Sequence, residues 1–407
     1  MFNLISYNNE NKTFKFLNIL LLILFAWVIF NSSSYMVEKV IFGKHDNFYD
    51  LKLVYNSLVG LLNGEDIYKV YPPYYDQPKS AYPPYTFNLI KTLGKLDWEV
   101  FLRGFIFLQI LSFISLFYYS YKLFPLEKIK YLYPLIYFYS FNFSVGASGT
   151  VTGNIAILLY GLLSLGFVQL FNKKIIFFNF IIFFISLFKF YFLIFYFFPI
   201  FLYGFKQIKQ VALFIIVLFA INFIYYIYQP ELFNSWIEYV NIQTSRSEFN
   251  PWIGTDITQS FASVTSKIGN FFNIKTYPSS LILNLFYFIV TTLTLFCIFF
   301  IYSPIFFIKN NNKNSKIKII SIGLLSIYVV FPRLLSFDFF LIIPVYYFLI
   351  NEIVFSKNEN KNFGIKFILF VLFLCVQDSQ IGLASFSLLF FLICYLEFKN
   401  KDPLLIR

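Results

Sequence analysis

Two aspartates four residues apart, Asp46 and Asp50, open the stretch "HDNFYDLKLVYNSLVGLLNGEDIY" at residues 45 to 68. A positioned carboxylate can take a proton from a hydroxyl, so this pair suits general-base work. The same residue type near a helix start is equally a cap, offering oxygen to free N–H groups at the positive end of the dipole. Three further features carry charge or polarity at the edges of apolar runs. Lys189 lies between two of them, Arg333 follows Pro332 with Asp338 five residues on, and Gly153-Asn154 opens another. Ionisable groups in such settings are costly and usually face a cavity, which makes each a site hypothesis. The plainer readings are a lysine that snorkels toward water and an Arg333–Asp338 ion pair.

The elements that must position these residues are partly legible. Leu51, Val54, Tyr55, Leu58, Leu61 and Leu62 recur at three-to-four spacing with polar residues between them, which predicts an amphipathic helix ended by Asn63-Gly64. Downstream, "VYPPYYDQP" and "AYPPYTFNLI" each force extended, rigid chain, because proline fixes φ and disfavours helix in the residue before it. Further on, Leu232, Phe233, Trp236, Ile237 and Val240 predict a second surface-lying helix, followed by the polar, irregular "NPWIGTDITQSF".

Composition identifies the solvent. With 59% hydrophobic and 13% charged residues in a chain of 407, and the charges sorted into short clusters between apolar runs, the expectation is an all-α polytopic membrane protein. A spanning helix needs about 20 mostly apolar residues. Runs near 15–34, 100–121, 131–146, 154–171, 175–188, 190–204, 210–228, 281–303, 318–331, 338–355, 364–376 and 381–396 give about twelve spans in one domain over 1–407. The stretch 175–204 exceeds one comfortable span and is read as two, broken around Ser186 to Lys189. Lysines then mark alternate short loops: Lys12 and Lys15, Lys122 to Lys130, Lys173 and Lys174, Lys206 and Lys209, Lys309 to Lys318, Lys357 to Lys366, and Lys399 onward. Basic loops stay cytoplasmic, so both termini are expected inside, and the two long loops, 35–98 and 229–280, outside. The first run reads as an uncleaved signal anchor in a cell inner membrane.

The same reading narrows function. The net charge of +12 is mostly topological anchoring, and no nucleic-acid module is recognisable. Cys297, Cys375 and Cys394 all fall in apolar runs, and a single histidine, His45, excludes a histidine-based metal site. A transporter would place paired charges deep in its spans, whereas these groups cluster at the ends. A polymerase or ligase of O-antigen type would carry an arginine-rich late loop, and 229–280 holds one arginine, Arg246, yet its polytopic plan with a large outer loop keeps it as the alternative reading. A non-enzymatic scaffold would tolerate replacement of Asp50.

These residues together resemble glycosyltransferase family 87, the polyprenyl-phosphate-mannose-dependent enzymes of GT-C architecture. Asp50 is followed eighteen positions later by Tyr68, in Gly64-Glu65-Asp66-Ile67-Tyr68, which is similar to that family's Gly-x-Asp-Pro-Tyr. Tyr82-Pro83-Pro84 matches its Tyr-Pro-Pro. Gly153-Asn154 stands where the family has Gly-Gln, Lys189-Phe190 where it has Lys-Pro, and Thr258-Gln259-Ser260 where it has Asn-Gln-Ser. Pro332-Arg333 with Asp338 resembles a late outer motif of the same family.

The resemblance implies a GT-C-like bundle with interfacial helices in its two outer loops. It also implies an inverting hexosyl transfer, mannose by family bias, from a polyprenyl phosphate to a glycan or glycolipid acceptor. Asp50 would be the base, with Asp46 the fallback. Arg333, Lys189, Tyr82, Asn154, Gln259, Asp338 and Tyr68 would bind donor phosphate or substrate. No cofactor and no nucleotide-sugar donor are implied; the mechanism requires no metal, with Asp46, Asp50, Glu65 and Asp66 left open as carboxylate ligands.

Overall fold

The computed structural model describes residues 48–69, 82–124, 152–246, 269, 280–307, 313–330, 340–354 and 387–395. Among them every regular element is helical and none is a strand. Three of the apolar runs, 15–34, 131–146 and 364–376, lie outside these residues, as do Asp46, Gln259, Arg333 and Asp338.

The first helix, α1, spans Tyr49–Leu62 and buries Leu51, Val54, Leu58 and Leu61. That is the stripe its spacing predicts. It ends at Asn63-Gly64: Gly64 takes the left-handed φ of 80°, and its N–H bonds the Leu61 carbonyl at 3.3 Å. The short α2, Pro84–Ile90, begins with proline at its first positions, where the missing N–H costs nothing. A 3₁₀ turn at Lys91–Lys95 then passes beneath α1 so closely that a Cβ on Gly94 would sit 3.0 Å from the Leu58 backbone. Tyr55 of α1 fastens the junction with the next helix, α3, Trp98–Leu123. Its hydroxyl donates to the Leu96 carbonyl at 2.8 Å, and its ring meets Trp98 and Phe101 at 5.4 and 5.2 Å.

Helix α4, Ala156–Phe171, packs along α3. At their crossing, Gly161 faces Ser112 so tightly that a Cβ on the glycine would lie 2.5 Å from that of the serine. Two small residues thus let the backbones approach, as apolar helices without a hydrophobic drive between them require. The run 175–204 divides as the sequence predicts: α5 occupies Ile175–Ser186, the helix breaks at 187–189, and a 3₁₀ segment, Phe190–Tyr196, leads into α6, Phe197–Tyr203. The second half folds back on the first. Tyr196 donates to the Asn179 carbonyl at 3.0 Å, and Tyr203 to the Leu170 carbonyl at 2.5 Å. Then come α7 (Ile208–Tyr228), α8 (Pro230–Arg246), α9 (Ser280–Phe307), α10 (Lys313–Val330) and α11 (Ile342–Val354).

Contacts between helix ends fix the direction of each. The starts of α3 and α4 both lie at α1, since Trp98 meets Tyr55 and Gly153 meets Leu51. The end of α5 is there too, because the Thr86 hydroxyl of α2 donates to the Leu187 carbonyl. So is the end of α7, through Tyr85–Tyr225 at 5.8 Å and Asn88–Gln229 at 3.4 Å. At the far end, Lys316 of α10 lies over Tyr203 of α6, and α10 returns toward the start of α9, where Tyr287 donates to the Val330 carbonyl at 2.7 Å. Lys173, Lys206 and Lys316 therefore fall at the end opposite Asp50.

Among the described residues two helices are long and apolar enough to cross a membrane, Trp98–Leu123 and Phe205–Tyr228, the second counting the 3₁₀ turn before α7. Both turn large side chains outward: Phe107 is 60% exposed, Phe219 64% and Phe223 63%. Water does not tolerate such continuous apolar surface on a monomer, whereas lipid does. The chain is a membrane-associated helical bundle in this sense.

Candidate active site

The backbone delivers Asp50 in an unusual way. Phe48, at the helix cap, adopts a left-handed φ of 62° and makes no side-chain capping bond. A bulky aromatic residue in that region stores about 1–3 kcal/mol of strain, which its surroundings must sustain. What holds it is the turn before α4. Gly153 has φ 72°, and a Cβ there would meet the Leu51 Cβ at 2.8 Å and the Phe48 ring at 2.9 Å. Only glycine satisfies both the angle and the contact.

This close approach lets two side chains grip the carboxylate. Thr152 Oγ1 donates to Asp50 Oδ2 at 2.8 Å, and Asn154 Nδ2 donates to the same oxygen at 3.0 Å. Asn154 is itself oriented, because its Oδ1 accepts the Ala156 N–H at 2.9 Å at the start of α4. Asp50 is half-buried, and among the described residues its Oδ1 accepts no hydrogen bond. One oxygen is thus fixed and the other is left for a proton. The capping alternative for Asp50 is set aside: Phe48 is the N-cap, and the carboxylate reaches another helix instead. Beside it, burial and then the Asp50 charge raise the Tyr49 phenol above its ordinary pKa, keeping it neutral.

Lys189 stands at the same end of the bundle, in the break between α5 and the 3₁₀ segment, with its ammonium 5.6 Å from the Tyr191 ring centre. Its chain neighbours tie it to both long loops. Phe188 meets Tyr82 at 6.4 Å, and Phe190 meets Trp236 of α8 at 6.2 Å.

Tyr68 and Tyr82 are brought together in a structural role. The Tyr68 hydroxyl donates to the Tyr82 carbonyl at 2.6 Å, its side chain is 2% exposed, and its ring meets Phe87 and Tyr239. Burial, with Asp66 adding to it, raises its pKa well beyond the ordinary phenol range, so it acts only as a donor. Asp66, which the sequence marks within the Gly64–Tyr68 motif and as one of four carboxylates, is a joint. Its Oδ1 accepts the Tyr68 N–H at 3.0 Å, and its Oδ2 accepts the Ser235 hydroxyl of α8 at 2.7 Å and lies 3.7 Å from Lys69 Nζ.

An open groove of about 1030 Å³ runs along α1 past Leu53, Asn56, Ser57 and Gly60, bounded by Glu65, Asn88, Tyr228, Gln229 and Glu231. Asp50 does not line it, but precedes Leu53 and Ser57 by three and seven residues, on the helical stripe that leads into it. Thr152 is the site residue sequence reasoning missed. It lies 102 residues from Asp50, and neither its type nor its spacing signals the contact. The chain matches no family model, no curated protein and no solved structure.

Proposed function

We propose that this protein is a membrane glycosyltransferase that moves a hexose, mannose by the resemblance of its motifs, from a polyprenyl phosphate to a glycan or glycolipid acceptor. The observation that carries the reading is the clamp on Asp50: a carboxylate with one oxygen held by Thr152 and Asn154 and the other unengaged among the described residues. Such a group is shaped to accept a proton rather than to cap or to pair.

In the proposed reaction, the acceptor hydroxyl gives its proton to Asp50 Oδ1 as its oxygen bonds the anomeric carbon. The bond from that carbon to the lipid phosphate oxygen breaks in the same displacement. The configuration inverts, and polyprenyl phosphate leaves with its electron pair. The developing phosphate charge calls for cations rather than a strong acid. Lys189 is placed at the correct end for this, and Arg333 joins it in the proposal. The groove along α1, about 1030 Å³, is just above the range of roughly 300–1,000 Å³ typical of small-ligand clefts. Its amides, carboxylates and exposed Tyr228 suit the hydroxyls and the apolar face of an acceptor sugar. In this reading the chain crosses the membrane about twelve times. Asp50 is extracytoplasmic, and the lysine-rich end faces the cytoplasm.

The donor class tests the proposal. Vesicles containing the wild-type chain are expected to transfer labelled sugar from a polyprenyl-phosphate hexose to endogenous glycolipid, and not from a nucleotide sugar when synthesis of the lipid donor is blocked. Transfer from the nucleotide sugar under that block would overturn it.

A further inference from the structure

The end of the bundle opposite Asp50 holds a buried cation, Lys316, seated over an aromatic ring. Lys316, in the first turn of α10, is only 7% exposed, yet it sits at the margin of the bundle rather than at its centre. Its ammonium is 5.1 Å from the centre of the Tyr203 ring. The Tyr203 hydroxyl donates to the Leu170 carbonyl at 2.5 Å, and the same carbonyl accepts the Lys173 N–H at 2.9 Å. Lys173 takes a left-handed φ of 65° at the end of α4, where its N–H and that of Lys174 close the helix on the Leu170 and Gln169 carbonyls at 2.9 Å each. The start of α10 thus meets the end of α6 at Tyr203, and the same tyrosine meets the end of α4 through the carbonyl that also takes the Lys173 N–H.

Among the described residues neither Lys316 nor Lys173 has an ion-pair partner. The α10 first turn contains no acidic residue, so its free N–H groups add positive potential. Burial first, and then the Lys173 charge, press the Lys316 ammonium below its ordinary pKa. A buried cation within the field of a second cation is stabilised by an anion close to both. Phe205 and Ile208, two and five residues past Tyr203, are 67% and 44% exposed and offer apolar surface beside the charges. An anionic headgroup with acyl chains meets both demands, and basic pockets between membrane helices bind such headgroups.

We propose that Lys316, Lys173 and Tyr203 form a binding site for a phosphate group carried by an anionic membrane lipid, at the end of the bundle opposite Asp50. The site is independent of any glycosyl transfer.

The test uses the full chain in a zwitterionic detergent, with thermal unfolding followed as phosphatidylglycerol, phosphatidylcholine or inorganic phosphate is added. Phosphatidylglycerol is expected to raise the wild-type unfolding temperature by several degrees and phosphatidylcholine to leave it unchanged. Lys316→Met and the exposed-site variant Lys173→Gln should each lose most of that increment. Lys52→Gln, on α1 at the other end, should keep it. Without lipid, Lys316→Met should be at least as stable as wild type, since it removes a buried like charge. If inorganic phosphate alone reproduces the increment, the site stands with free phosphate as its occupant. An increment equal in wild type and Lys173→Gln, or one that phosphatidylcholine matches, would overturn the proposal. Native mass spectrometry of wild type and Lys173→Gln, counting bound phosphatidylglycerol, gives the same decision without a thermal readout.

Discussion

Asp50→Asn is expected to lower sugar transfer by about 10²–10⁴-fold, the usual worth of a positioned general base, while leaving the unfolding temperature nearly unchanged. The separation of the two effects follows from the clamp. An asparagine carbonyl can still accept from Thr152 Oγ1 and Asn154 Nδ2, so the junction between α1 and α4 persists. What disappears is the second carboxylate oxygen and its affinity for a proton. Asp66→Asn is the matched control. It keeps a carbonyl acceptor for the Tyr68 N–H, the Ser235 hydroxyl can turn to accept from the new amide, and the ion pair lost is with a Lys69 side chain that is 57% exposed. Exposed pairs of this kind contribute about 0–1 kcal/mol, so transfer by that variant should stay close to wild type. Equal loss in both would make Asp50 an ordinary surface carboxylate.

Gly153→Ala should produce the second large effect, through position rather than chemistry. The methyl group would enter the space now shared by Leu51 Cβ at 2.8 Å and the Phe48 ring at 2.9 Å, in a backbone whose φ of 72° already disfavours alanine. Left-handed backbone costs about 1–2 kcal/mol for an L-residue, and overpacking about 1–3 kcal/mol more. The first turn of α1 must shift to make room, and Asp50 is in that turn. A displacement near 1 Å is enough to cost about 10²-fold in rate. Unfolding temperature and transfer rate should therefore both fall. Gly64→Ala separates the causes: its φ is 80°, but nothing lies within 4 Å of the added Cβ. It should bear the backbone strain alone, with lower stability and transfer largely preserved. Transfer at the wild-type rate by Gly153→Ala would mean that the α1–α4 approach does not position the reacting group.

How much of this was legible in the sequence varied with the range of the interaction. Helix α1 was readable because its buried stripe is a local matter of three-to-four spacing, and Asn63-Gly64 stops it by local stereochemistry. The break at 187–189 was readable for a similar reason, as a polar interruption in an apolar run too long for one span. The helix expected from Leu232 to Val240 is only half legible. Trp236 is buried at 7% exposure, but Ile237, expected in the apolar stripe, is 40% exposed, and Tyr239 is buried at 3%. Helix α8 is turned by what it packs against, Phe190 on one side and the ring of Tyr68 on the other, and periodicity does not encode those neighbours.

The site itself divides in the same way. Asp50 and Asn154 were singled out by type and place, yet their hydrogen bond joins residues 104 apart, and nothing in either local sequence states it. Tyr68 was grouped with substrate-binding residues by motif; the structure spends its hydroxyl on the Tyr82 carbonyl, since a buried phenol needs a partner and that carbonyl is the one the fold supplies. The motif Gly64-Glu65-Asp66-Ile67-Tyr68 accordingly acts as a hinge plate. It ties the end of α1 to α8 through Asp66 and to the entrance of α2 through Tyr68. Its chemistry is positional, and it holds the wall of the groove that leads toward Asp50.

A single displacement at an anomeric carbon, with Asp50 as the proposed base, is recorded in the stereochemistry of the product. A polyprenyl-phosphate hexose of defined anomeric configuration, isotopically labelled at that carbon, would be supplied to the wild-type protein in vesicles and the new glycosidic bond assigned by NMR. Wild type is expected to form a product of opposite configuration, and Asp50→Asn to lose it. A product that retains the donor's configuration would require a covalent intermediate and two displacements, and would contradict the single displacement.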